Sequence, residues 1–117
     1  MKVGLDLIEI ARIKRALERH PGFRERCFTE AERAYCETRP NPAESYAGRF
    51  AGKEAVGKAL GVGVRFTWKE IEIVGRPKPG VTLSGRTRMA WERQGGGAID
   101  LSMTHSRELA AAIAVLT

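Results

Sequence analysis

Val3, Leu5 and Leu7 interleave with Gly4 and Asp6 at the start of the chain, a two-residue period that predicts a strand over residues 1–8. The period then lengthens. Ile10, Ile13 and Leu17 fall three and four apart, so a helix follows with its polar side chains on the other faces, and Pro21-Gly22 breaks it. Thr29 with Glu32 three residues on has the form of a capping box, which predicts a short helix from about Glu30. The strongest start signal is Asn41-Pro42-Ala43-Glu44: a capping side chain, a proline suited to the first turn, and a glutamate able to reach back. That helix should run to Leu60 and end at Gly61. It carries a stripe of small residues (Ala47, Ala51, Ala55 and Ala59), consistent with tight packing on a sheet. It also carries Gly48, Gly52 and Gly57, each weakening a helix by roughly 1 kcal/mol relative to alanine. Close approach of another backbone or a ligand is the expected reason.

Further along, residues 69–74 alternate as a strand and residues 81–83 make a second, shorter one. Residues 86–94 read as a helix stopped by Gly95-Gly96-Gly97. Ile99, Leu101 and Met103 alternate again, residues 104–107 should turn the chain, and residues 109–116 form a last, alanine-rich strand. No repeat, linker or low-complexity tract interrupts this order. The expected architecture is a single α+β domain over residues 1–117, a small antiparallel sheet packed against one long helix.

Length and composition narrow the classes. A chain of 117 residues with 43% hydrophobic and 29% charged side chains has enough for one core and is not disordered by composition. Its longest uncharged stretch, residues 109–117, is too short to span a bilayer, and Asp6 and Glu9 stand where a signal peptide would be apolar. A cytoplasmic protein without membrane association is the expectation. Cys27 and Cys36 are nine apart, which fits neither a zinc pair nor a disulfide framework, so both read as reduced core residues. The net charge is +6, and it is uneven: residues 12–26 hold six basic side chains (Arg12, Lys14, Arg15, Arg19, Arg24, Arg26) against Glu18 and Glu25. Such a run is either a solvated helix face or a dock for a polyanion or acidic protein.

Candidate chemistry begins with a decoy. Gly52 to Lys58 matches the GxxxxGK part of a phosphate-binding loop, but Ala59 follows where a magnesium-binding hydroxyl is needed. The stretch also lies within the long helix rather than between a strand and a helix. In that helix Glu54 and Lys58 share one face, and Arg49 and Lys53 pair similarly on an adjacent one. Asp6 is an acid in an otherwise apolar strand and needs a partner if buried. A hard cation shared with a second carboxylate would supply it, and magnesium is typically gripped by one or two carboxylates plus substrate phosphates. Asp6 and Glu54 are the candidate pair, with Lys58 as a fixed charge for a phosphate oxygen. Ser102, Thr104 and His105, at the expected turn, could present donors to a phosphorylated ligand.

Three segments carry a family resemblance. Gly4, Asp6 and Arg12 resemble the opening G-x-D-x-x-x-x-x-R motif of holo-acyl-carrier-protein synthases, within the 4′-phosphopantetheinyl transferase superfamily. Residues 48–61, GRFAGKEAVGKALG, resemble the family's RFAxKEAxxKAxG helix, and Ser102 to His105, followed by Ala110 to Ala112, resembles its terminal S-x-[ST]-H segment. The resemblance implies transfer of 4′-phosphopantetheine from coenzyme A to a serine of apo-acyl-carrier protein, in fatty acid biosynthesis, releasing adenosine 3′,5′-bisphosphate. It matches Asp6 and Glu54 to magnesium ligands, and Lys58 to the lysine beside the diphosphate. Arg49, Thr104, His105, Lys78 and Pro79 match positions around coenzyme A. Arg12, Arg19, Phe23 and Arg26 match the surface that meets the acidic carrier. It further implies a homotrimer with active sites between neighbouring subunits. On this reading Asp6, Glu54 and Lys58 are catalytic, with Glu54, directly or through a water, as the candidate base. Two departures concern loops: Pro77 stands where glycine is expected, and the segment from Gly63 to Trp68 is short. The rival readings are a small basic nucleic-acid-binding protein, resting on the charge, and a non-catalytic carrier-binding module, which would not need Asp6 and Glu54 together. Only 8 aromatic residues, 2 Trp, 2 Tyr and 4 Phe, and no recognition motif weigh against nucleic acid.

Overall fold

Two antiparallel sheets surround one long helix in the computed structural model, which describes residues 1–62, 67–75 and 78–117. Strand β1 (Lys2–Glu9) runs into α1 (Ile10–Arg19), followed by α2 (Phe23–Cys27), α3 (Glu30–Glu37) and the central α4 (Pro42–Leu60). Strands β2 (Ile71–Val74) and β3 (Gly80–Leu83) make a hairpin, α5 (Gly85–Arg93) follows, and β4 (Ile99–His105) and β5 (Leu109–Leu116) close the chain. β5 lies between β1 and β4, so the first and last strands pair directly, Asp6 opposite Ala112 and Leu5 opposite Ile113.

Helix α4 forms where the local signals predict. Asn41 accepts a hydrogen bond from the Glu44 amide, Pro42 sits in the first turn, and Gly61 ends the helix at φ +71. The small-residue stripe faces the sheet: Ala47, Ala51 and Ala55 are wholly buried and Ala59 is nearly so. Close packing there depends on Gly4, because a Cβ on it would come within 1.8 Å of the Ala55 carbonyl oxygen. Gly52 lies similarly against Ile73, whereas Gly48 has no neighbour on its open side and instead faces a cleft. α1, α3 and β2 cover the other sides of α4, leaving it buried around most of its circumference.

Two expectations need correction. Residues 69–70 are not strand: Trp68–Glu70 is a single 3₁₀ turn, and pairing begins at Ile71. The Lys53 ammonium draws the carbonyls of Trp68 and Ile71 inward, while the Glu70 carboxylate turns away to accept from the Thr87 amide and hydroxyl and the Arg86 amide. Thr104 and His105 are in β4 rather than at the turn, which Ser106 closes by bonding to both the amide and the carbonyl of Leu109. Of the basic run, Arg12, Lys14, Arg15 and Arg19 lie on α1 and Arg24 and Arg26 on α2. The departures at Pro77 and in residues 63–66 lie outside the described residues.

The alternation in β1 has an unusual sense. Gly4 and Ile8 point inward and are buried, with Asp6 beside them, whereas Val3, Leu5 and Leu7 are 52%, 62% and 63% exposed. Ile113, opposite Leu5, is also exposed. The sheet β1–β5–β4 thus presents an apolar outer face. Among the described residues no helix is long and apolar enough to cross a membrane.

Candidate active site

Asp6 owes its position to the strand period: it follows Gly4 on the side of β1 that packs on α4. Glu54 and Lys58, one turn apart, face it from α4. The Lys58 Nζ donates to Asp6 Oδ1 at 3.1 Å and to the Leu5 carbonyl at 2.9 Å. The partner that the sequence requires for a half-buried Asp6 is therefore, in this protein chain, Lys58. Burial pushes the Glu54 carboxyl above its ordinary range, the Asp6 charge pushes it further, and Lys58 opposes both. Two carboxylates in one another's field, in a site open to solvent, fit a hard divalent cation that keeps its remaining ligands as water and phosphate. Among the described residues no group of three or more His, Cys, Asp or Glu side chains is placed to form a fuller cage.

The acid pair opens into a cleft of about 480 Å³ whose walls include Arg12, Arg26, Phe50 and Trp68. Arg12 and Arg26 of the basic run thus share one opening with the carboxylates. Arg19 sits exposed in the last turn of α1 and does not line it. Phe23, expected on the docking surface, lines this cleft while being 8% exposed and edge-on to Phe28.

A second cleft, about 450 Å³, collects the other expected ligand residues: Arg49, Thr104, His105 and Pro79, with Arg39 and Glu44 beside them. The Arg49 guanidinium lies 4.1 Å above the Tyr35 ring. Its Nε is buried without an acceptor among the described residues, a donor suited to an incoming anion. His105 Nε2 is 3.0 Å from Glu44 Oε1. Lys78, at the edge of this region, bonds to the Leu101 carbonyl and pairs with Asp100. The two clefts have no lining residue in common, so one subunit divides between two places the residues that a single ligand would need.

Sequence reasoning missed Lys53. Read only as sharing a helix face with Arg49, it is fully buried against Glu32 at 2.7 Å. The available signal was the capping box, which forms as predicted with Thr29 and Glu32 but does not reveal that the same carboxylate also takes a lysine.

Residues 2–114 match the family profile of the 4′-phosphopantetheinyl transferase superfamily. The chain is 46% identical to a holo-[acyl-carrier-protein] synthase of Moorella thermoacetica, covering 99% of this chain and 93% of that one. It superposes on the crystal structure of the Helicobacter pylori holo-[acyl-carrier-protein] synthase in complex with coenzyme A with a TM-score of 0.83, at 30% identity and covering 98% and 99% of the two chains. A holo-(acyl-carrier-protein) synthase of Bacillus anthracis, in complex with CoA (3′,5′-ADP), is 34% identical with a TM-score of 0.79, covering 98% of this chain and 94% of that one.

Proposed function

This chain belongs to the 4′-phosphopantetheinyl transferase superfamily, and from that premise we propose that its two clefts serve one reaction, assembled between subunits. The protein transfers 4′-phosphopantetheine from coenzyme A to a serine of apo-acyl-carrier protein. The observation that carries the reading is the convergence of Asp6 from β1 and Glu54 from α4 on one opening, with Lys58 bonded to Asp6 beside it.

In the reaction the carrier serine oxygen attacks the phosphorus that bears pantetheine. The bond from that phosphorus to the bridging oxygen breaks, and adenosine 3′,5′-bisphosphate leaves with the electron pair. Glu54, directly or through a water, receives the serine proton. Lys58, whose side chain is 51% exposed, can turn from Asp6 to donate to diphosphate oxygens as charge develops there. Asp6 and Glu54 would hold magnesium, which when bound supplies positive charge against the diphosphate. Arg49, with its unpaired buried donor, and Thr104 and His105 would grip the phosphate-rich end of coenzyme A. Arg12 and Arg26, on the rim of the acid cleft, and Arg19 beyond it would dock the acidic carrier. The reaction would serve fatty acid biosynthesis.

Two observations favour association of copies of this chain, and the family resemblance makes that assembly a homotrimer. The outer sheet face exposes Val3, Leu5, Leu7 and Ile113, an apolar surface that another copy would cover. The split of ligand residues between two clefts is resolved if one subunit's Arg49 and His105 meet another's Asp6 and Glu54. Sedimentation at three times the subunit mass is the expected result, and Leu5→Glu should dissociate the assembly and stop turnover.

Incubating the protein with apo-carrier, coenzyme A and magnesium should add one phosphopantetheine mass to the carrier serine. Asp6→Ala or Glu54→Ala should abolish that gain, and substantial retained turnover would overturn the assignment. Absence of any gain in the parent protein, with salt-dependent binding to DNA or RNA, would favour the nucleic-acid reading instead.

A further inference from the structure

One buried ion pair has no part in the chemistry above, although it adjoins Glu54 in sequence. Lys53 and Glu32 are both 0% exposed in their side chains. The Lys53 ammonium has three protons to donate and three acceptors: Glu32 Oε1 at 2.7 Å, the Trp68 carbonyl at 2.9 Å and the Ile71 carbonyl. Glu32 is equally occupied, with Oε1 also accepting from the Thr29 amide and Oε2 from the Ile73 amide, both at 2.9 Å. All three ammonium protons and both carboxylate oxygens are thus engaged within the protein.

What the pair holds is one wall of the acid cleft. Trp68 lines that cleft together with Phe50, Asp6 and Glu54, and its ring stacks on Phe50 with centroids 4.4 Å apart. Its backbone is tied by Lys53, whose ammonium also lies 5.6 Å from the centre of the Phe28 ring, which in turn backs Phe23 at the same wall. An apolar pair of similar volume would fill this part of the core about as well, since buried ion pairs contribute little net stability over hydrophobic replacements. Apolar side chains could not bond the Ile71 carbonyl, and they would leave the Trp68 carbonyl without the ammonium that, beside the Ile71 amide, fixes it.

We propose that Lys53 and Glu32 are positioning residues that set the Trp68 wall of the carrier-docking cleft. The proposal rests on the transferase reading and adds to it a determinant of acceptor binding. The wall lies on the side of Arg12 and Arg26, whereas the residues expected around the far end of coenzyme A line the other cleft. Disturbing the pair should therefore weaken use of the carrier and spare use of coenzyme A.

The test uses Glu32→Gln with Lys53→Met, which removes both charges together and leaves an amide oxygen for the Ile73 amide. It is made with Trp91→Phe, so that Trp68 is the sole tryptophan. The expected result is a folded protein whose KM for the carrier rises about tenfold while its KM for coenzyme A changes by less than about twofold. Acrylamide quenching of Trp68 should increase in the same protein. An unchanged carrier KM with unchanged quenching overturns the proposal, as does an equal loss toward both substrates, which marks a purely structural role. If the double variant does not fold, Trp68→Leu alone decides: it should raise the carrier KM similarly, and an unaltered value overturns the proposal. Failure of the parent protein to modify the carrier would overturn the transferase reading separately, and quenching of Trp68 would still report on the wall.

Discussion

Lys53 and Lys58 stand five residues apart on one helix, and each pairs with a carboxylate from another element, yet their surroundings differ. Lys53 meets Glu32 at 2.7 Å with neither side chain exposed. Lys58 meets Asp6 at 3.1 Å with half of its side chain in solvent. In the first pair all three ammonium protons and both carboxylate oxygens have fixed partners, and burial still pulls the ammonium below its ordinary pKa against the opposing field of Glu32. In the second, solvent screens the attraction, so exchanging Asp6 for a phosphate oxygen requires little free energy. Two charge pairs alike in residue type can thus divide between holding a wall and meeting a substrate. Desolvation separates them.

The contrast is broken most directly by removing one lysine at a time. Lys53→Met leaves the Glu32 charge buried and uncompensated, which should reduce unfolding free energy by about 3–5 kcal/mol in a urea titration. A loss below about 1 kcal/mol would place Lys53 with the exposed pairs and dissolve the distinction. Lys58→Met should leave stability within about 1 kcal/mol of the parent. Its effect belongs to turnover, where loss of a donor to the developing charge should lower kcat about a hundredfold. Normal kcat in that variant, with the carrier and coenzyme A both saturating, would remove Lys58 from the chemistry.

The same contrast explains what was legible in the sequence. Elements came through where a local cause acts locally: the Asn41 cap, Pro42 and Gly61 bound α4, and the Thr29 capping box starts α3. Asp6, Glu54 and Lys58 were identifiable because an acid in a strand, and an acid and base one turn apart on a helix, are local patterns too. Long-range partners were not. Nothing near Lys53 indicates that Glu32 and two carbonyls beyond the end of α4 will enclose it. The direction in which Leu5 and Leu7 face was likewise hidden. Alternation fixes that they share a side, but Gly4 must lie against Ala55, and that packing turns them outward. The strand at residues 69–74 shortened for the same reason, since its first residues answer to Lys53 and to the start of α5.

The carboxylates extend the comparison to its smallest expected effect. Glu32 is held by an ammonium and two amides, whereas Glu54 is half-buried beside a like charge, and its carboxyl titrates above the ordinary 4.5. A folded-state pKa above the unfolded one means that the folded chain holds this proton to higher pH. Stability from this group is therefore greatest below about pH 4.5, declines as pH rises through the elevated value, and stays reduced at neutral pH. Glu54→Gln has no such penalty. Its Tm at neutral pH should exceed the parent's by about 1–3 °C, narrowing toward pH 4. Magnesium should raise the parent's Tm and leave that of Glu54→Gln nearly unchanged, because only the parent offers two carboxylates to the cation. Differential scanning calorimetry across that pH range reads both effects. A lower Tm for Glu54→Gln at neutral pH would mean that Glu54, like Glu32, is a satisfied structural anion, and its protonation would then be too costly for a base.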